Sequence, residues 1–208
     1  PFGDSARTAL RIGCLEGQFR SGDDREAAGL IARVDEGDVD DTVAKIIADV
    51  RARGDEAVIE LTSRFYRLAL SPETLAFTRE EIDAECEKVS DADRAALVTA
   101  AERIRAYHAR QMPQDASWTD PEGATLGWRW TPVAAAGLYV PGGLASYPSS
   151  VLMNAIPAKV AGVDRLVVTT PTPKGESNPL VLGAAHIAGV DEIWRVGGAQ
   201  AVAARGTA

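Results

Sequence analysis

Two Gly-Gly segments contain the residues of this sequence best suited to bind a ligand. They are Tyr139-Val140-Pro141-Gly142-Gly143 and Val196-Gly197-Gly198-Ala199-Gln200. Each lies where a predicted strand leads to a predicted helix. Glycine lets a ligand approach the backbone closely, and a helix N-terminus attracts anionic groups, so a dinucleotide could lie across both segments. Neither segment matches G-x-G-x-x-G, and tight turns between strand and helix explain them equally well.

The other reactive residue types offer little catalytic chemistry. His108 and His186 each lie in a predicted helix, with no Cys or second His at metal-ligand spacing, so we expect both to be structural or to face solvent. Cys86 is flanked by two glutamates, whose charges disfavour a thiolate. Ser149-Ser150 could offer hydroxyls to a ligand or could cap a helix. The sequence contains neither a G-x-S-x-G elbow nor a P-loop.

Length, charge and cysteine usage narrow the class of protein. The 208 residues have room for one or two domains. The net charge of −8 disfavours a nucleic-acid partner, because phosphate binding needs a basic face. Cys14 and Cys86 lie far apart, which favours reduced thiols in a cytoplasmic protein. No apolar stretch approaches the roughly 18–20 residues of a membrane span, and because the first residue is not Met we expect the natural start to lie earlier.

A change of composition near Pro132 divides the chain. Residues 1–131 carry a net charge of −9 and residues 132–208 a net charge of +1. We therefore predict three parts: an arm or short helix over 1–37, a mainly helical region over 38–131, and an α/β part over 132–208.

The helical region has recognisable periodicity and caps. Val39, Val43, Ile46, Ile47 and Val50 follow the spacing of one helical face. Gly54 should end that helix, and Asp55 should cap the next, which we expect to bury Ala57, Val58, Leu61 and Phe65. Thr78 with Glu81, and Ser90 with Asp93, are predicted to begin two more helices. A strand is predicted over Leu126–Trp130, and the tryptophans Trp118, Trp128, Trp130 and Trp194 are predicted as core or interface residues.

A repeat organises the second part. Ala161-Gly162-Val163-Asp164-Arg165-Leu166 recurs 27 positions later as Ala188-Gly189-Val190-Asp191-Glu192-Ile193. Each copy follows a helical stretch and precedes an apolar strand, predicted over 166–169 and 193–196. A further strand is predicted over 137–140 and a helix over 149–161. A helix that ends at a glycine and is followed by a buried strand is typical of βαβ units in a parallel sheet. We therefore predict that this part is half of a Rossmann-like α/β domain.

Long ungapped motifs in this part identify the family that the chain resembles. GLYVPGGLASYPSSVLMNAIPAKVAGVDRLVVTTPTP, residues 137–173, and NPLVLGAAHIAGVDEIWRVGGAQAVAA, residues 178–204, closely resemble histidinol dehydrogenase. The resemblance extends back through TVAKIIADVRARGDEAVIELTSRF and the RIRAYHARQ segment, so that it covers residues 39–204. Tyr66 and Ala69 stand where an acidic residue is more usual.

The resemblance implies a fold, an activity and four site residues. The implied fold is like that of aldehyde and histidinol dehydrogenases, with Rossmann-like domains that lack the ordinary fingerprint. The implied activity is NAD-dependent, zinc-requiring oxidation of L-histidinol through L-histidinal to L-histidine by a cytoplasmic homodimer. Tyr139, Pro141 and Gln200 match cofactor-contacting positions, and Ser149 matches a serine near the substrate.

The resemblance also places the zinc ligands and a Glu-His proton-transfer pair beyond Ala208. We therefore expect no catalytic or metal-ligating residue in this chain, an α/β domain incomplete at its C-terminus, and no turnover of histidinol by the 208 residues alone. Two alternatives stay open on the sequence. One is a related NAD- and zinc-dependent dehydrogenase for another small alcohol, such as sulfopropanediol, and the other is a non-catalytic fragment that binds a second chain.

Overall fold

The computed structural model describes residues 36–141 and 147–206. The described residues from Asp41 onward belong to one compact unit. The predicted arm over 1–37 lies outside the described residues except at its last two positions, and Cys14, Gly142 and Gly143 lie outside them too. The predicted part boundaries at 37 and 131 stay predictions.

The described chain begins with helices. In order these are α1 (Glu36–Arg53), α2 (Asp55–Tyr66), a 3₁₀ turn (Pro72–Thr74), α3 (Arg79–Glu87) and α4 (Asp91–Ala109). Both predicted caps of the later helices are confirmed, because Thr78 Oγ1 accepts from the Glu81 N–H and Ser90 Oγ from the Asp93 N–H. The cap predicted at Asp55 is wrong. Gly54, with φ 58° and ψ −129°, stands at that position, and Asp55 is already the first helical residue.

A short antiparallel ribbon follows, made of β1 (Ala116–Thr119) and β2 (Thr125–Trp128). The predicted strand over 126–130 is thus shorter, and its partner β1 was missed. Trp118 and Trp128 meet edge to face, with ring centroids 5.3 Å apart. Both rings and Trp130 are exposed, so the core interpretation is wrong for these three in the described chain, whereas an interface role stays a prediction.

The second part is built on a parallel sheet. Its elements are β3 (Ala135–Tyr139), α5 (Pro148–Val160), β4 (Arg165–Thr169), a 3₁₀ turn (Pro173–Gly175), α6 (Pro179–Ala188), β5 (Glu192–Trp194) and α7 (Gly198–Gly206). The strand order is β3-β4-β5, all parallel, which confirms the predicted α/β class. Gly162 and Gly189 have φ of 87° and 78°, as expected of the glycines that end the two repeated helices.

Two apolar cores hold the sheet between helices. The first gathers side chains of α4, α5, α6 and the three strands, including Leu166, Val168 and Ile193. The second gathers side chains of α1, α2 and α7 around Leu75 and Val196, with Trp194 packed against it. Ile193 and Trp194 are successive strand residues whose side chains point to opposite faces, so the two cores lie on opposite faces of the sheet. Phe65, predicted to be buried in α2, is 49% exposed.

Candidate functional site

The carboxyl ends of the three parallel strands lie side by side. Tyr139, the last residue of β3, is in register with Thr169 of β4, and Thr169 is in register with Trp194 of β5. In open α/β sheets this edge is where ligands bind. Tyr139 ends β3 and Gly197-Gly198 follows β5, so the fold brings these residues to one edge of the sheet.

A hydrogen bond joins Tyr139 to the second Gly-Gly segment. The Gly198 N–H donates to the Tyr139 hydroxyl at 3.5 Å. The ring remains 40% exposed, and its hydroxyl proton is still available to a ligand. The structure thus brings Tyr139 and the start of α7 together, although Tyr139 and Gly198 are 59 positions apart in the sequence.

Gln200 lies beneath the same turn. Its side chain is 1% exposed, and its Nε2 has no hydrogen-bond partner in the part of the chain that the structure describes. A β-carbon built on Gly198, which has φ 67°, would lie 2.7 Å from the Gln200 Oε1. A buried amide without a partner costs stability, so its presence here fits a group that pairs only when a ligand binds.

Tyr66 and Pro171 complete the surroundings of the turn. A β-carbon built on Gly197 would lie 2.5 Å from the Pro171 Cβ and 2.6 Å from the Tyr66 hydroxyl oxygen. Burial, and secondarily the neighbouring Tyr139 phenol, raise the pKa of Tyr66, so this phenol is protonated at neutral pH. Sequence reasoning missed both residues. The one available signal was the tyrosine at position 66, where the resemblance leads us to expect an acidic residue.

The other two predicted site residues, Pro141 and Ser149, are not joined to this turn by hydrogen bonds within the described chain. Pro141 follows β3 and is exposed, and Ser149 is an exposed residue in the first turn of α5. Among residues 36–141 and 147–206, no hydrogen bond joins either of them to Tyr139 or Gln200. The alternative that Ser149-Ser150 caps the helix is wrong, because Tyr147 occupies the N-cap position.

The described histidines and cysteine are not gathered into a reactive cluster. His186 is exposed on α6, and His108 meets the Tyr107 ring edge to face. Cys86 is buried, and burial, more than the flanking glutamates, is the reason that its pKa is raised. Within the described ranges, no three His, Cys, Asp or Glu side chains lie together as a metal site. No helix among these residues is both long and apolar enough for a membrane span.

The turn at Gly197-Gly198 therefore presents hydrogen-bond donors from three elements. These donors are the phenols of α2 and β3, the Gln200 amide and the N-terminus of α7. All are neutral groups, and they suit a ligand rich in oxygen acceptors.

Comparisons with known proteins agree on one family. A family model described as histidinol dehydrogenase matches residues 31–207. The histidinol dehydrogenase of Cereibacter sphaeroides is 73% identical over 172 residues, which are 83% of this chain and 40% of that protein. That of Rhodospirillum rubrum is 62% identical over 167 residues, 80% of this chain and 38% of that protein.

A solved structure matches as well. The crystal structure of histidinol dehydrogenase from Elizabethkingia anophelis superposes with a TM-score of 0.77 at 31% identity, covering 81% of this chain and 39% of that chain. The chain thus spans about two fifths of the length of the relatives it matches.

Proposed function

The chain belongs to the histidinol dehydrogenase family, as its motifs predicted, and from that membership we propose that it is the dinucleotide-binding part of an NAD-dependent oxidoreductase. The proposed reaction of the whole protein is oxidation of L-histidinol through L-histidinal to L-histidine. NAD is the hydride acceptor in each oxidation. The homodimer and the cytoplasmic location implied by the family are proposed on the same ground.

One observation supports the dinucleotide site above all others. The hydrogen bond from the Gly198 N–H to the Tyr139 hydroxyl brings the end of β3 next to the turn that follows β5, which supports one binding site for both. The residues around this bond also fit NAD. Gln200 holds a buried amide with no partner, and the lack of side chains at Gly197 and Gly198 lets Tyr66 and Gln200 pack directly against the turn.

Each site residue then has a role that its chemistry allows. Tyr139 offers a ring face and a hydroxyl to a ribose or nicotinamide edge. Gln200 donates from Nε2 to an oxygen of the dinucleotide. Pro141 lines the pocket after β3, and Ser149 offers a hydroxyl on the substrate side.

Zinc is implied by the family as well. The residues that the structure describes provide no group of ligands for it. The roles assigned to this chain therefore include no metal-dependent step.

Calorimetric titration of NAD into the intact protein, expressed from its natural gene, tests the proposal. Q200L replaces the buried amide by an apolar group of similar size, and it should weaken NAD binding by about 10-fold or more while leaving the unfolding midpoint unchanged or raised. Q111L, at an exposed glutamine after α4, is the matched control and should bind NAD as the wild type does. Failure of the wild type to bind NAD, or unaltered binding by Q200L, would contradict the proposal.

A further inference from the structure

We infer that Tyr66, contributed by the helical region, is a further ligand-contacting residue whose hydroxyl donates a hydrogen bond to the diphosphate oxygens of the dinucleotide at the Gly197-Gly198 turn. This inference rests on the proposed NAD site and adds to it a residue of helix α2.

The position of the Tyr66 hydroxyl is the first support. Its oxygen lies 2.6 Å from the point that a β-carbon of Gly197 would occupy, and 3.4 Å from the corresponding point at Gly198. Pro171 and the Tyr66 hydroxyl therefore occupy the space where a Gly197 side chain would lie, and the hydroxyl lies against the backbone of the turn. A ligand that binds at the start of α7 lies beside this hydroxyl.

The hydroxyl is also free to serve a ligand. Tyr66 makes no hydrogen bond within the described ranges, and its phenol is protonated at neutral pH because burial raises its pKa. The nearby Gln200 Nε2 is likewise a donor without a partner, and its side chain is buried. Two unpaired donors beside one turn indicate an acceptor-rich ligand.

The packing of α2 holds Tyr66 in place. Ala57, Val58 and Leu61 of α2 are buried in the second core, which also contains Ala201 of α7. The helix ends directly after Tyr66, where Arg67 adopts a left-handed conformation and its N–H donates to the Ser63 carbonyl at 3.0 Å. The hydroxyl is thus set by two packed helices rather than by a loop.

Charge favours the diphosphate as the acceptor. α7 begins at Gly198 and is nine residues long, so its N-terminal N–H groups and dipole attract an anion at this turn. A neutral phenol donates to an anionic oxygen more strongly than to a neutral one. The buried amide of Gln200, which has no partner among the described residues, independently indicates a ligand site at this turn.

Binding measurements on the intact protein with Y66F test the inference. Y66F keeps the ring and removes only the hydroxyl, so its unfolding midpoint should match the wild type. Its dissociation constants for NAD and for ADP-ribose, which retains the diphosphate but lacks nicotinamide, should both rise about 10-fold. Y107F removes an exposed hydroxyl on α4 and should leave both constants unchanged.

The outcomes separate this inference from the proposed function. If Q200L weakens NAD binding and Y66F does not, the NAD site stands and the role of Tyr66 is wrong. If Y66F weakens NAD binding but leaves ADP-ribose binding unaltered, the hydroxyl contacts the nicotinamide half, which overturns the diphosphate assignment. If the wild type binds neither ligand, both proposals fail.

Discussion

The guanidinium carbon of Arg195 lies 3.7 Å from the centroid of the Phe77 ring. The same guanidinium donates to the Ala76 carbonyl at 2.7 Å, and its side chain is only 13% exposed. The backbone is paired around it, because the Phe77 N–H donates to the Ile193 carbonyl and the Arg195 N–H to the Leu75 carbonyl, both at 2.8 Å. The segment Leu75–Phe77 of the helical region therefore pairs antiparallel with residues 193–195. Arg195, the last of these, lies two positions before Gly197.

R195A should destabilise the protein by about 2–4 kcal/mol, because it removes a cation–π contact, the ion pair with Glu81 and the donor to the partly buried Ala76 carbonyl. R79A is the matched control, since Arg79 pairs with Asp83 at an exposed site and should cost about 0.5 kcal/mol or less. Urea unfolding measures both. Equal losses for the two variants would show that the Arg195 contacts contribute no more than a surface ion pair.

Glu81 should make stability depend on acid pH. The hydrogen bond from Arg195, at 2.6 Å, is the main reason that its pKa lies below the ordinary 4.5, and a bond from the Thr78 N–H acts in the same direction. A depressed pKa in the folded state means that this contribution is present above pH 4.5 and is lost as pH falls through the folded pKa. E81Q should therefore flatten the dependence of unfolding free energy on pH in this acid range. E80Q, at the exposed neighbour in the same turn, should keep the wild-type slope.

G197A should damage both stability and NAD binding. Its new methyl group would overlap the Pro171 ring and the Tyr66 hydroxyl, an overpacking that costs about 1–3 kcal/mol. G189A is the control that separates this steric effect from backbone strain. Gly189 has φ 78° and open space around it, so an alanine there strains the backbone without a clash. G189A should therefore cost about 1–2 kcal/mol without altering NAD affinity. Denaturant unfolding and calorimetry measure the two effects. Wild-type NAD affinity in G197A would contradict a ligand position beside the Tyr66 hydroxyl at this turn.

Local signals made much of the fold predictable. The glycines that end the repeated helices need a left-handed backbone, and the apolar runs after them are buried strands, so β4 and β5 could be recognised. The capping pairs Thr78–Glu81 and Ser90–Asp93 act within one helical turn, so the starts of these two helices could also be predicted from the sequence. The β1–β2 ribbon was missed in part because β1 has four residues, none of them buried, and lacks an apolar run. The exposure of Phe65 was missed because helical periodicity does not reveal how wide the buried face is.

The candidate site was predictable only where it is local in the chain. Tyr139 and Gln200 stand beside Gly-Gly segments, and the resemblance marked both. Tyr66 reaches the same turn from α2, more than a hundred residues away, and that approach depends on how α2 packs against α7. No spacing rule within the sequence contains this information.

The repeated Ala-Gly-Val-Asp motif supplies a final prediction with its own control. Asp191 of the second copy accepts from Lys159 Nζ at 2.6 Å and from the Leu166 N–H at 2.7 Å, which ties α5 and β4 to the start of β5. Burial alone would raise the pKa of Asp191, but these two hydrogen bonds outweigh it and the pKa is lowered. The carboxylate therefore stabilises the fold above its ordinary pKa and loses this effect as pH falls through the lowered value.

D191N should cost about 1 kcal/mol at neutral pH, a modest value because the carboxylate is partly exposed and its ion pair is screened by solvent. D164N, at the equivalent exposed position of the first copy, should cost much less, because Asp164 contributes to this cluster only its backbone carbonyl, which accepts from Lys159. Thermal unfolding of both variants at pH 7 and pH 3.5 measures the difference, which should shrink at the lower pH. An equal effect of the two substitutions would mean that the bonds of Asp191 add nothing to the stability of the sheet.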